Sequence, residues 1–256
     1  MTIDKINRAA FATTSVVHSY INFVLQPPEV SIFIKYHDNF VNKHVLDIGC
    51  GTGRTTFYLR NFTNHYIGID YAAPMVDYCK RKYTGMKFRQ CDARNMGMFS
   101  DESFDFVLFS YNGIDYINNH DRILALYEIY RVLKHDGLFV FSSHNRDYKH
   151  MLSGPMLKFT INPIKQLHIF SQYIASAWNH KINSNRQNFT DEYAIVNDSG
   201  NNYRLLTYYI DRTHQIDQLS NIGFTALEEY DMEGKIISSD ENTINSCWIY
   251  YVAIKP

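Results

Sequence analysis

Val45-Leu46-Asp47-Ile48-Gly49-Cys50-Gly51-Thr52-Gly53-Arg54 is a short apolar run that ends in glycines at every second position. The run predicts a buried strand, and the glycines predict a strand-to-helix turn. Glycine at such a turn admits positive φ and lets a ligand lie against bare backbone, with helix amides beyond it. The spacing G-x-G-x-G differs from the G-x-G-x-x-G of dinucleotide sites. The carboxylate of Asp47 would serve a pyrophosphate poorly and an ammonium or sulfonium group well.

Outward from this loop the rhythm persists. Apolar runs recur at 66–69, 86–91, 104–109 and 138–142, separated by helical stretches. Ile123, Leu126, Tyr127, Tyr130 and Leu133 lie at helical spacing and predict a helix ending near Gly137. Strands that are apolar on both faces and alternate with helices predict an α/β fold with a mainly parallel sheet covered on each side. Before the loop, residues 13–26 predict a helix, with Tyr20 on its apolar face and Pro27-Pro28 as its stop; Val30, Phe33, Ile34 and Val41 suggest a second helix. After residue 145 the rhythm breaks. Residues 146–202 are expected to form an inserted cap, leaving 1–145 and 203–256 as one domain. In the closing part, 203–210 reads as extended, Thr213 as a helix cap, Gly223 as that helix's end, and 224–230 and 248–254 as strands.

The chain has 256 residues, 25 Lys+Arg against 26 Asp+Glu, a net charge of −1 and 45% hydrophobic residues. That composition supports a folded core and excludes dominant disorder. It also lacks the basic excess that drives phosphate-backbone binding, so no nucleic-acid partner is expected. Four scattered cysteines and no CxxC pair argue against a disulfide framework or a zinc site. With no signal peptide and no long apolar run, the sequence predicts a cytoplasmic protein without a membrane span.

Two further acids complete a pattern. Asp70 ends the second apolar run, 17 residues after Gly53, where an acid can accept bonds from both ribose hydroxyls. Asp92, in Gln90-Cys91-Asp92-Ala93, follows the third and could accept a bond from an adenine amino group. With Asp47, three acids stand at the ends of three successive strands. The sequence thereby resembles the class I S-adenosylmethionine-dependent methyltransferases of small-molecule type. Asp47 to Gly53 match that family's first motif, Ile67-Gly68-Ile69-Asp70 its second, Cys91-Asp92-Ala93 its third, and Phe104-Asp105-Phe106-Val107 its fourth-strand motif. Leu133-Lys134-His135-Asp136-Gly137 resembles the turn before its fifth strand.

The resemblance implies a Rossmann-like, seven-stranded sheet with a reversed last strand, and S-adenosyl-L-methionine over the carboxyl ends of strands one to four. It implies that Asp47 and the loop Gly49-Cys50-Gly51-Thr52-Gly53 face the methionine portion, Asp70 the ribose, and Asp92 with the Ala93 amide the adenine. Tyr71 would flank the adenine, Ser110 and Tyr111 would lie near the methionine end, and Tyr20 could close over the cofactor. His144 and Asn145, directly after the fifth strand, point to the acceptor side, where His144 could orient a substrate or take a proton. Asp115 and Tyr116 are comparable candidates. Ser110-Tyr111-Asn112-Gly113 is unlike the Asn/Asp-Pro-Pro-Tyr motif of amino methylation on bases or Gln.

Between Arg146 and Thr190 six basic residues face one acid, Asp147, and Phe159, Phe170, Tyr173 and Trp178 are interleaved with them. This suits an anionic acceptor with a ring; a solvated helical face, or contact with a membrane surface, explains the same residues. The expected activity is methyl transfer to O or N of a small, anionic metabolite by a monomer or homodimer. The competing expectations are a catalytically silent, partner-binding subunit, a protein or RNA acceptor, and a nicotinamide enzyme, which the glycine spacing and Asp92 oppose.

Overall fold

A computed structural model of the chain describes residues 3–11, 20, 21 and 24–256. The central parallel strands are β1 (Val45–Ile48), β2 (Tyr66–Asp70), β3 (Lys87–Gln90), β4 (Phe104–Phe109) and β5 (Leu133–Asn145). They run in the order β3-β2-β1-β4-β5. β10 (Trp248–Ile254) pairs antiparallel with both β5 and β9 (Thr225–Tyr230), which gives the reversed last strand.

The strands are apolar on both faces because the pleat sends alternate residues to opposite sides. Leu46, Val107 and Phe139 pack with Leu126 and Ile129 of α5 (Asn119–Val132) and Leu219 of α7 (Arg212–Ile222). Val45, Phe106 and Val140 pack on the other side with Ile32 of α2 (Pro27–Lys35), Leu59 of α3 (Thr56–Leu59) and Val76 of α4 (Ala73–Lys82). Each such fully buried side chain contributes about 1.5–3 kcal/mol relative to exposure.

Several elements depart from the sequence reading. The sheet has ten strands, because β6 (Asn188–Phe189), β7 (Tyr193–Val196) and β8 (Thr207–Ile210) join its path. β8 pairs with β5 at His144 and Asn145, beyond the point at Phe141 where β4 stops. The stretch that lacked rhythm also holds α6 (Pro163–Asn183), a 21-residue helix. Pro27-Pro28 opens α2 instead of stopping a helix, since proline at the first positions forfeits no helical hydrogen bond. The expected helix over 13–26 lies largely outside the described residues, and α1 (Ile3–Phe11) precedes it. α5 ends at Val132, not near Gly137, because buried Leu133 already pairs with Phe104 as β5 begins. Its buried face is Arg122, Ala125, Leu126, Ile129 and Val132, while Tyr127 is exposed. Asp211, not Thr213, caps α7, accepting from the His214 amide, and Gly223 closes it at φ 118°.

Candidate active site

The carboxyl ends of β1, β2 and β4 part around a cleft lined by Asp47, Gly49, Cys50, Gly51, Asp70 and Ser110, together with Tyr20, Tyr71, Ala93 and Tyr111. The glycine turn forms one wall. Its Cys50 amide donates to the Ile69 carbonyl (3.0 Å) and its Gly53 amide to the Cys50 carbonyl (2.9 Å), so the turn is sewn to β2 and to itself. Two glycines are required for different reasons. Gly51, at φ 54°, has nothing within 3.9 Å of where a Cβ would stand and leaves the backbone open to a ligand. At Gly53 a Cβ would lie 2.3 Å from the Tyr83 ring, whose hydroxyl donates to the Gly53 carbonyl.

Asp47 and Asp70 are both buried, but they are held differently. Asp47 Oδ2 accepts from the hydroxyls of Thr55 (2.5 Å) and Tyr66 (2.6 Å), which fixes the start of the turn to β2. Asp70 accepts from two backbone amides, Gly51 (3.0 Å) and Ala72 (2.8 Å), which aim its carboxylate at the rim of the cleft. Burial pushes both carboxyls up to about 6, against the opposing pull of those same donors.

Asp92 is not among the residues that line the cleft. It lines a smaller recess beside the cleft, and its carboxylate accepts from Arg94 Nε (3.0 Å), Arg94 Nη2 (2.7 Å) and Arg8 of α1. Burial alone would raise this carboxyl, but the arginines outweigh it and hold it at about 2. Its acceptor capacity is spent on guanidinium groups, and Ala93 is the residue of that motif at the cleft. Arg8 also stacks over the Tyr71 ring at 5.0 Å.

The opposite wall contains an ion pair the sequence reading did not single out. Glu29, fully buried in α2, binds Arg54, with Arg54 Nη2 at 2.7 Å. Ser110 donates to the same carboxylate, and the Arg54 guanidinium lies 4.9 Å from the Tyr111 ring. Tyr20 lies at the cleft with its carbonyl accepting from Thr52 (3.0 Å) and its ring 6.4 Å from that of Tyr111; burial pushes its hydroxyl up to about 12.

His144 stands one aromatic layer behind the cleft. Tyr116, which lines the cleft, has its ring 6.5 Å from the imidazole, and Trp248, which packs on Tyr111, has its ring at 5.7 Å. Asp115 fixes the histidine by accepting from its backbone amide and facing Nδ1, both at 2.7 Å. The same carboxylate accepts from Ser143 (2.9 Å) and from Arg122 (2.5 Å). A proton on Nδ1 leaves Nε2 as the acceptor, which Asn112 Nδ2 meets at 3.5 Å and Asp198 Oδ2 faces at 3.9 Å. Asn145 turns away and donates to the carbonyls of Thr243 and Ser246.

Residues 45–137 are similar to a methyltransferase domain, whose family model they match. The chain is 37% identical over 102 residues to a demethylmenaquinone methyltransferase of Lactiplantibacillus plantarum, an alignment covering 36% of this chain and 41% of that protein. A putative methyltransferase of Geobacillus sp. (strain WCH70) is 28% identical over 197 residues, 73% of this chain and 75% of its own. The 1,6-didemethyltoxoflavin-N1-methyltransferase of Burkholderia thailandensis, solved with S-adenosylhomocysteine, superposes with a TM-score of 0.61 at 13% identity, covering 98% of this chain and 88% of that one.

Of the site residues named from sequence, the fold brings Asp47, Gly49, Cys50, Gly51, Asp70, Tyr71, Ala93, Ser110, Tyr111 and Tyr20 to one cleft, while Gly53 packs against Tyr83 outside its lining. Asp92 and His144 lie behind its walls. Glu29, Arg54, Asn112, Asp198 and Trp248 were missed. For Arg54 the signal was its place directly after the last glycine; for Glu29 and Asp198, which come from distant segments, the sequence carried none.

Proposed function

We propose that the chain is a methyltransferase that binds S-adenosylmethionine in the cleft at the ends of β1, β2 and β4 and methylates O or N of a small molecule. The observation that carries this reading is Asp70, a buried carboxylate aimed at the cleft rim by two amides, opposite a Gly51 backbone with no side chain in the way. Those residues fit the cofactor: Asp70 would hold the ribose hydroxyls, and the glycine turn would hold the methionine portion beside Asp47. When bound, the cofactor supplies an electrophilic methyl group on sulfonium.

The protein's own contribution is orientation and exclusion of water. Tyr111, held in the left-handed region at φ 59° and packed between Arg54 and Trp248, marks the acceptor end of the cleft. Behind it, His144, held by Asp115, would position the Tyr116 and Trp248 rings that border the acceptor. Asn112 Oδ1, buried and without a hydrogen-bond partner, offers a hydrogen-bond acceptor on that side. Asp198, whose carboxylate stands 3.9 Å from His144 Nε2, favours a neutral or cationic acceptor over an anionic one.

The test is a calorimetric titration with S-adenosylmethionine, S-adenosylhomocysteine and NAD. The first two are expected to bind at micromolar Kd and NAD not at all. Binding of neither, by a folded protein, would favour the silent-subunit reading.

A further inference from the structure

We infer that the outward face of α6 docks on the surface of an anionic lipid bilayer; the inference does not rest on the methyl-transfer reading. The helix is mounted on the domain largely through polar groups. Asn179 donates to the Asn202 carbonyl (2.9 Å), Asn183 to the Tyr203 carbonyl (3.1 Å), and His180 Nδ1 meets Asn197 Oδ1 at 2.8 Å. The helix's buried residues are Ser176 and Asn183.

On the other side Ile164, Leu167, Phe170, Ile174, Trp178 and Ile182 recur every three or four residues and cover an arc of roughly 120° at the helical repeat. They are bare: Ile164 is 80% exposed, Leu167 72% and Trp178 65%. The chain leading into the helix extends the patch with Phe159 and Ile161, both almost fully exposed. A continuous apolar surface of this kind marks a contact site.

Charge selects the occupant. From residue 148 to residue 190 there is no Asp or Glu, while Lys149, Lys158, Lys165, Lys181 and Arg186 are basic. A second copy would set two basic, acid-free faces together, with Lys181, which lies within the stripe's own arc at the helical repeat, meeting no carboxylate. An anionic bilayer offers hydrocarbon to the stripe and phosphate to the lysines. Among the described residues no helix is long and apolar enough to cross a membrane, so α6 would lie in the plane of the interface, with Trp178 at the headgroups.

The experiment is flotation of the full chain with vesicles of phosphatidylcholine, alone or mixed with phosphatidylglycerol. The protein should float with the mixed vesicles, stay behind with the neutral ones and be released by salt. In a Trp248→Phe background the emission of Trp178 should shift to the blue on mixed vesicles. Leu167→Glu with Trp178→Glu should lower the partition by about tenfold or more with an unchanged circular dichroism spectrum. Failure of the natively folded wild type to float with mixed vesicles would overturn the inference. So would a dimer, seen by sedimentation velocity, that the same double variant dissolves, because the face would then belong to a second copy.

Discussion

Two arginine–carboxylate clusters fasten the amino-terminal helices to the rim of the cleft, and they differ in burial. Glu29 of α2 meets Arg54 and Ser110 with its side chain wholly out of water, whereas Arg8 of α1 meets Asp92 with 39% and 32% of the two side chains exposed. Coulomb attraction between exposed groups is weakened by solvent, while a buried charge that loses its partner is left with its full desolvation cost. The first cluster is therefore a fixed part of the wall, and the second is a fastening that solvent and salt can loosen.

The sharpest way to break that contrast is Glu29→Ala, which strands Arg54 and should cost about 3–5 kcal/mol in urea unfolding. A loss below about 1 kcal/mol would place the pair in solvent. On the acceptor side, His144→Ala should lower turnover by up to about 10²-fold by loosening the Tyr116 and Trp248 wall, with a smaller effect on cofactor affinity. That is measured with an acceptor found by screening phenols and amines, and wild-type turnover would make His144 purely structural. Asp70→Ala should weaken S-adenosylmethionine binding by roughly 1.5–3 kcal/mol in calorimetry, since a bidentate contact is lost. Unchanged affinity would remove Asp70 from the site.

Acid extends the comparison to Asp70 and Asp92. Asp70 is raised to about 6, so it protonates as pH falls through 6, and cofactor affinity should drop by about tenfold for each further unit. Asp92, held at about 2, stays charged over that range and contributes no slope. Asp70→Asn should make the profile shallower, leaving the part that Asp47, also raised to about 6, contributes; a slope equal to wild type would assign it to Asp47 or another group. The smallest effect belongs to Arg8→Ala, about 0.2–1 kcal/mol of stability that shrinks in high salt, because the pair is exposed and Asp92 keeps Arg94. A loss matching that of Glu29→Ala would erase the contrast.

The parallel core was legible because Val45–Ile48 and its successors carry their own period, and the glycine turn because its spacing is local. What resisted reading depended on distance or on mixed signals. Pro27-Pro28 is consistent with a helix's end or its beginning, and only the burial of Glu29 and Ile32 decides between them. Arg122 gave a hint, a charge on the apolar stripe of α5, but its partners Asp115 and Gln215 come from a loop and from α7. Asp92 shows the opposite failing: its position after β3 fitted a ligand role, and Arg8, 84 residues away in sequence, occupies its carboxylate. In 146–202 the outward stripe of α6 confounded the usual rule that apolar residues point inward.

β5 is 13 residues long; β4 leaves it at Phe141 and β8 takes that side at His144 and Asn145, with the Arg146 amide continuing the line to the Ile210 carbonyl. The added strands are thus grafted onto the spine of the sheet and share its hydrogen bonds. Their amide protons should exchange through the same opening that frees β5, and heating should melt graft and core in one cooperative step.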